Sequence, residues 1–319
     1  MHIARVILAA AALMLGGAAL AQSYPTKPVK VLIGFAPGGA PDTVLRRIAS
    51  KLEERLGQPV VVENRAGASG TIAAAAVARA DADGYTLLFG MAANLAVAPA
   101  TMKNPPYDAL TAFAPIIEIA RGPYLWLVRS DAPARNMQEF IAWSKKNPGK
   151  LNYASPGQGT VHHLATEMLK QAAGIDMVHV PYRGVLYVAL LAGDIQAMFQ
   201  SMPEPLPYLE AGRIRALGVT GNRRLAALPD VPTLAEQGLP EVEANSWWGF
   251  VGPAGMSNAV VAKLNAEIAG VLAEPELKAI FARWNIEPTP GTPEAFGLYI
   301  RQESIRWKEV VAKAGLQLE

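Results

Sequence analysis

Residues 29–35 read Val-Lys-Val-Leu-Ile-Gly-Phe, and Ala36-Pro37-Gly38-Gly39-Ala40 follows before Pro41-Asp42. The first run is apolar and β-branched, the chemistry of a strand. The glycines break it. Pro41 suits a first helical turn, Asp42 complements the helix dipole there, and Val44, Leu45, Ile48 and Leu52 continue at helical spacing. A strand that turns through glycines into a helix start offers free backbone N–H groups to an anion.

A second copy of this device follows Pro148-Gly149. Residues 151–155 (Leu-Asn-Tyr-Ala-Ser) read as a strand, Pro156-Gly157-Gln158-Gly159-Thr160 as its break, and Thr160 to Ala173 as a helix with Leu164, Met168 and Ala172 in step. Strands are also expected at 59–63, 85–89, 114–119, 124–128, 177–182, 195–199, 214–219 and 247–253. Helices are expected at 70–80, 258–272, 276–284 and 293–314. This alternation predicts a mainly parallel α/β fold with helices on both faces. No low-complexity linker separates the halves, so crossing strands, not a tether, should join two domains. Paired helix starts could then face each other across a cleft, outside the carboxyl ends of the strands.

The start of the chain has the pattern of a secretory leader. His2 and Arg5 precede an apolar run from Val6 to Leu20, and Ala19-Leu20-Ala21 is a cleavage pattern before Gln22. The run is short for a bilayer span, so cleavage after Ala21 is expected over an uncleaved anchor. Export to a periplasm follows. The chain has no cysteine, which excludes disulfides, thiolate metal sites and a lipidated N-terminal cysteine. Loss of Arg5 leaves 28 basic and 27 acidic residues, a net charge of +1 that gives no case for nucleic acid or anionic membrane.

Competing chemistry is poorly supported. Gly34 and Gly39 have the spacing of a phosphate loop, but Ala40 stands where lysine is needed. Gly157-Gln158-Gly159 lacks the third glycine of a dinucleotide turn. His162 and His163 are adjacent on a helix, roughly 100° apart, and cannot chelate one metal together. His163 and Glu167 share a face, and His179 sits in an apolar strand; neither supplies the ligand count of a metal site. No Gly-x-Ser-x-Gly elbow occurs. Asp81 and Asp83 flank a turn before Gly84, where aspartate commonly caps. Neither a metal nor a cofactor is expected. An exported hydrolase is therefore the weaker alternative to a binding protein. Arg183, in Tyr182-Arg183-Gly184, is either an anion contact or a solvated loop residue. Trp247 and Trp248 either close the cleft or pack at the crossing between domains.

Backbone capture suffices energetically. Charge-assisted hydrogen bonds contribute roughly 1.5–3 kcal/mol each, and a helix terminus adds about 0.3–1 kcal/mol. A few of these with burial of a carbon skeleton reach micromolar affinity, about −8 kcal/mol.

The sequence resembles the Bug receptors, the periplasmic solute-binding proteins of tripartite tricarboxylate transporters. The matching stretches are Tyr24-Pro25 with Lys27-Pro28-Val29, Gly34 to Gly39 with Asp42 and Arg46, and Asn64 to Gly70. Asp83 to Leu87, Tyr153 to Thr160, Pro181 to Gly184 and Leu228 to Glu236 continue the series. The resemblance covers nearly all of residues 23–319. It implies a two-domain Venus flytrap of the type II periplasmic-binding-protein fold, with residues 22–122 plus 247–319 forming one domain and 123–246 the other. It implies a carboxylate held between lobes by Phe35, Pro37, Gly38, Gly39 and Asp42 on one side. Ser155, Gly157, Gly159 and Thr160 of the second loop face them, and Tyr182 and Arg183, after the neighbouring strand, are further candidate contacts. A di- or tricarboxylate, an acidic amino acid or an aromatic acid would be the ligand. Integral-membrane transporter subunits would be the partner of a monomeric receptor that is not an enzyme; a signalling partner is the alternative. Between Gly184 and Gly193 the chain is shorter than the family pattern.

Overall fold

The structure is a computed structural model that describes residues 24–182, 186–284 and 286–315. The leader segment 1–21 and Arg183 lie outside the described residues.

Strand β1 (Val29–Ile33) leads into helix α1 (Ala40–Leu56), and β2 (Val60–Asn64) leads through a tight loop into α2 (Thr71–Ala78). Strand β3 (Thr86–Met91) then enters a π-helical turn over Ala93–Val97 and α3 (Ala98–Thr101). Strands β1, β2 and β3 run parallel with β1 in the middle. Residues 29–33 are buried on both faces except Lys30. Val29, Val31 and Ile33 join one apolar cluster and Leu32 the opposite one, as the two-residue period of a strand requires. Each such fully buried side chain contributes roughly 1.5–3 kcal/mol.

The feature that joins the halves is β4 (Phe113–Arg129), one strand of 17 residues. The sequence predicted two strands here, at 114–119 and 124–128. The chain stays extended because the strand changes partners at that point. Up to Pro123 it pairs antiparallel with β9 (Asn245–Pro253), and from Tyr124 its neighbours belong to the second half. Register shifts near Ile117 and Ala120 bend it on the way.

The second half continues with α4 (Met137–Lys145), β5 (Asn152–Ser155), α5 (Val161–Ala173), β6 (Val178–Pro181) and α6 (Leu186–Ala192). Strand β7 (Ala197–Ser201), α7 (Leu206–Glu210) and β8 (Ile214–Val219) complete it. Strands β5 and β6 are parallel, β5 and β7 are parallel, and β7 and β8 flank the far half of β4. After β9 the chain ends in α8 (Asn258–Leu272), α9 (Pro275–Trp284), the short β10 (Glu287–Pro288) against β4, and α10 (Pro293–Ala314).

The sheet order is β2-β1-β3-β9-β4-β7-β5-β6. In the first lobe the parallel strands end at Ile33, Asn64 and Met91, and Met91 pairs with Trp248. In the second lobe β7 ends at Ser201, which pairs with Tyr124. The carboxyl edges of both half-sheets therefore abut the same crossover, Gly122–Tyr124 beside Asn245–Trp248. Both tryptophans are buried there: Trp247 edges against Phe296 and Tyr299, and Trp248 tilts against Phe89.

Candidate functional site

The first loop leaves β1 at Gly34, where a Cβ would collide with the backbone of Gly70. Only glycine permits that approach, and it seats the turn against the loop before α2. Phe35 packs its ring on Gly70 and is half-buried, while Pro37, Gly38 and Gly39 are exposed. Gly38 adopts φ +91°, a left-handed conformation that favours glycine.

Asp42 governs the shape of this loop. Its Oδ2 accepts the Gly38 N–H at 2.9 Å and Arg46 Nε at 3.0 Å, and its Oδ1 accepts Asn64 Nδ2 at 2.8 Å. Asn64 Nδ2 also donates to the Phe35 carbonyl at 3.0 Å, and Arg46 Nη2 donates to Asn64 Oδ1 at 2.7 Å. Asp42 is only 3% exposed. Burial alone would raise its pKa, but the bonds from Arg46, Asn64 and Gly38 outweigh that and hold it below its ordinary value. Its charge is thus spent inside the loop. Thr43 is the first residue of α1 to reach back, donating to the Gly39 carbonyl at 2.9 Å. The N–H groups of Gly39, Ala40 and Asp42 precede it and have no intrahelical acceptor.

The second loop leaves β5 at Ser155. Ser155 Oγ donates to the Gly157 carbonyl at 2.8 Å, accepts the Gly157 N–H at 3.1 Å, and lies 2.7 Å from His179 Nε2 on β6. Thr160 Oγ1 donates to the same Gly157 carbonyl at 2.8 Å and caps α5 by accepting from His163 N at 3.4 Å. Gly159 donates its N–H to His163 Nδ1 at 3.1 Å, so His163 carries its proton on Nε2. Tyr182 N–H donates to the Ser155 carbonyl at 2.9 Å, tying the end of β6 to the loop. The first helical N–H to reach back is that of Leu164, to the Thr160 carbonyl at 3.0 Å. Those of Val161 and His162 have no intrahelical acceptor.

Three rings stack beneath this loop. His163 and His179 lie 4.1 Å apart, and Tyr153 stacks on His179 at 4.9 Å. Burial, with His163 next to it, pushes His179 down to about 4, and burial lowers His163 too. The histidines are thus neutral supports of the loop. Among the described residues no group of three His, Cys, Asp or Glu side chains could hold a metal ion. Asp83 accepts the Tyr85 N–H at 3.0 Å and pairs with Lys27, a turn role.

The sequence reading named Asn64 and His162 without their structural roles and did not single out Gln200, Tyr187 or Glu204. Asn64 braces the first loop from β2. His162 Nε2 lies 3.0 Å from Gln200 Oε1 at the end of β7, and Tyr187 and Glu204 lie close by; the quoted stretches carry no signal for this group.

Two half-sheets joined by a crossing strand, with an N–H-rich loop on each carboxyl edge beside the crossover, define a two-lobe binding protein. The model of the "Tripartite tricarboxylate transporter family receptor" matches residues 44–316, and the chain belongs to that family. Solved structures agree. One is the periplasmic binding protein BugD, 34% identical with TM-score 0.83, covering 93% of this chain and 100% of that one. Rpa4515 of Rhodopseudomonas palustris, with adipate, is 34% identical with TM-score 0.84, covering 92% of this chain and 98% of that one. MatC of the same organism, with bound malate, is 31% identical with TM-score 0.82, covering 90% and 100%. The fold is the periplasmic-binding-protein fold, and no helix among the described residues is long and apolar enough to cross a membrane.

Proposed function

We propose that this receptor captures a small organic carboxylate between its lobes and delivers it to integral-membrane transporter subunits. One observation carries the reading: each lobe presents a helix start at the carboxyl edge beside the crossover, and Asp42, the acidic group of the first loop, is already satisfied internally. The loops offer donors to an anion. The adipate and malate in the structures of relatives support this class of ligand.

The contacts come from Phe35, Pro37, Gly38 and Gly39 on one lobe. Ser155, Gly157, Gly159, Thr160, Tyr182 and Arg183 supply the other. Asp42 belongs to the site as the brace of its loop. The change of partners on β4 between Pro123 and Tyr124 supports a division into 22–122 with 247–319 and 123–246. The protein works as a monomer in the periplasm after cleavage at Ala21, and it binds without catalysis.

Mass spectrometry of small molecules released from the purified protein tests this directly, followed by calorimetry against a carboxylate panel. A released or titrated carboxylate that raises the melting temperature is the expected result. Ligand-stripped, folded protein that binds no carboxylate overturns the reading.

A further inference from the structure

The crossover has two faces. Ala120, Gly122 and Tyr124 point one way with Ser246 and Trp248, and Arg121 and Pro123 point the other way with Asn245 and Trp247. The first face is the ligand side. Tyr124 edges onto His162 at the start of α5, at 5.0 Å, and Trp248 belongs to the apolar cluster of α1, against which Phe35 and Tyr182 also pack. The second face is the rear. There Trp247 edges against Phe296 of α10, and the Arg121 guanidinium lies 3.6 Å from the centre of the Tyr299 ring.

A cavity of about 410 Å³ lies on the rear, lined by Arg121, Pro123 and Asn245 of the crossover, Asn222 and Arg223 after β8, and Glu287 of β10. Two ties join the halves of the chain here. Arg223 pairs with Glu287, and Arg306 of α10 donates to the Glu243 carbonyl, just before β9, at 2.8 Å. On the ligand side Pro37, Gly38 and Gly39 are exposed, so the second half does not cover the first loop and the cleft is open. A rotation about the crossover that brings the two loops together draws its rear apart. Closure therefore separates Arg223 from Glu287.

Resting on the proposed division into two lobes that close on a carboxylate, we propose that Arg223 and Glu287 form an autoinhibitory latch: the pair holds the empty receptor open and breaks when the lobes close on ligand. Its strength suits that role. Both side chains are mostly exposed, 72% and 60%, and such a pair shifts an equilibrium by about fivefold at most. That favours the open form without barring closure, and it lowers the apparent affinity in proportion to the closed fraction it removes.

The chain has no cysteine, so Ser50→Cys on α1 and Gln171→Cys on α5, both exposed, take a fluorophore pair at those sites alone. In ligand-free protein Glu287→Gln should move the open-to-closed ratio toward closed by about two- to fivefold, and Glu287→Arg, which sets two cations together, should move it further. Arg223→Glu combined with Glu287→Arg re-forms the pair and should restore most of the parent ratio. Salt at about 1 M should move the parent toward closed and leave Glu287→Gln where it is. Calorimetry with succinate, glutarate and citrate reads the same latch: whichever of them the parent binds should bind about two- to fivefold tighter to Glu287→Gln, and the double reversal should undo the gain. Single variants that change neither distance nor affinity, or that open the protein and weaken binding, overturn the latch and leave the receptor reading standing. A shift that the double reversal does not undo overturns it as well. Binding of none of the three carboxylates by folded parent counts against the carboxylate reading, and the ligand-free distances then judge the latch by themselves.

Discussion

The carboxylate of Asp42 accepts the backbone N–H of Gly38 at 2.9 Å while its other oxygen holds Asn64 at 2.8 Å. One buried side chain thereby fixes the turn, the helix start and the end of β2 together. Asp42→Ala leaves Asn64, Gly38 and Arg46 without that acceptor and should cost about 2–4 kcal/mol by urea unfolding. Because the folded pKa is depressed, the charged form contributes its stability above the ordinary carboxylate range. That contribution is lost as pH falls through the folded value. The variant should therefore lose less stability than the parent on acidification below about pH 4. Equal stability of the two proteins at neutral pH would refute the bracing role.

Gly39→Asp separates folding from binding. Gly39 is the N-cap of α1 with φ −74°, and a Cβ there meets only Pro41 Cδ, at 3.7 Å. Aspartate is a favoured N-cap, so the melting temperature should hold or rise. The same charge would face a bound carboxylate at roughly 4 Å, a repulsion of about 4 kcal/mol at an effective dielectric near 20. Binding by calorimetry should weaken by about a thousandfold, while Gly39→Ala keeps most of it. Unchanged affinity in Gly39→Asp places the anion elsewhere.

Local pattern made most elements readable. β1 shows its strand period and α1 its apolar face, and both glycine loops stand out because turns demand those residues. What local pattern hides is long-range choice. The runs 114–119 and 124–128 read as two strands, yet β4 runs on through Gly122 and Pro123 because β9 and then β7 supply partners on either side. Asp42 reads as a helix-start acid, and its partners, Gly38, Arg46 and Asn64 22 residues away, reveal that its charge is consumed. Glu204, Tyr187 and His162 come from the turn after β7 and from two different helices, with no shared spacing. Their meeting is set by the sheet order, which no local window contains.

Acid should weaken the second lobe before the first. Burial, opposed by the hydrogen bond to Gln200, pushes His162 down to about 4, and burial with His163 does the same for His179. An unfolded histidine takes its proton near pH 6.5. Between about 6.5 and about 4 the unfolded chain therefore binds more protons, and stability falls as pH falls. Above that window the two sites are neutral in both states and contribute no slope. Urea midpoints measured across it should drop steadily, and His179→Asn should shallow the drop. A flat profile from neutral pH to about 4.5 would contradict burial of the neutral rings.

Gly249 is where the sheet meets the C-terminal helix. It lies on β9, opposite Glu118 of β4 and Gly90 of β3. A Cβ at this position would run into the ring of Phe296 on α10 and come within 2.7 Å of the Ile117 carbonyl oxygen. The ring could shift, but the carbonyl is part of the β4 backbone. Phe296 is itself buried and edges against Trp247 at the crossover, so its displacement would propagate to the crossing strands. Gly249→Ala should then destabilise by about 1–3 kcal/mol through overpacking. The compensating variant is Gly249→Ala with Phe296→Leu, which frees room at the ring but not at the carbonyl. It should recover part of the loss in thermal unfolding. Full recovery would assign the whole cost to the ring, and no loss in the single variant would show that β9 can slide from α10 freely.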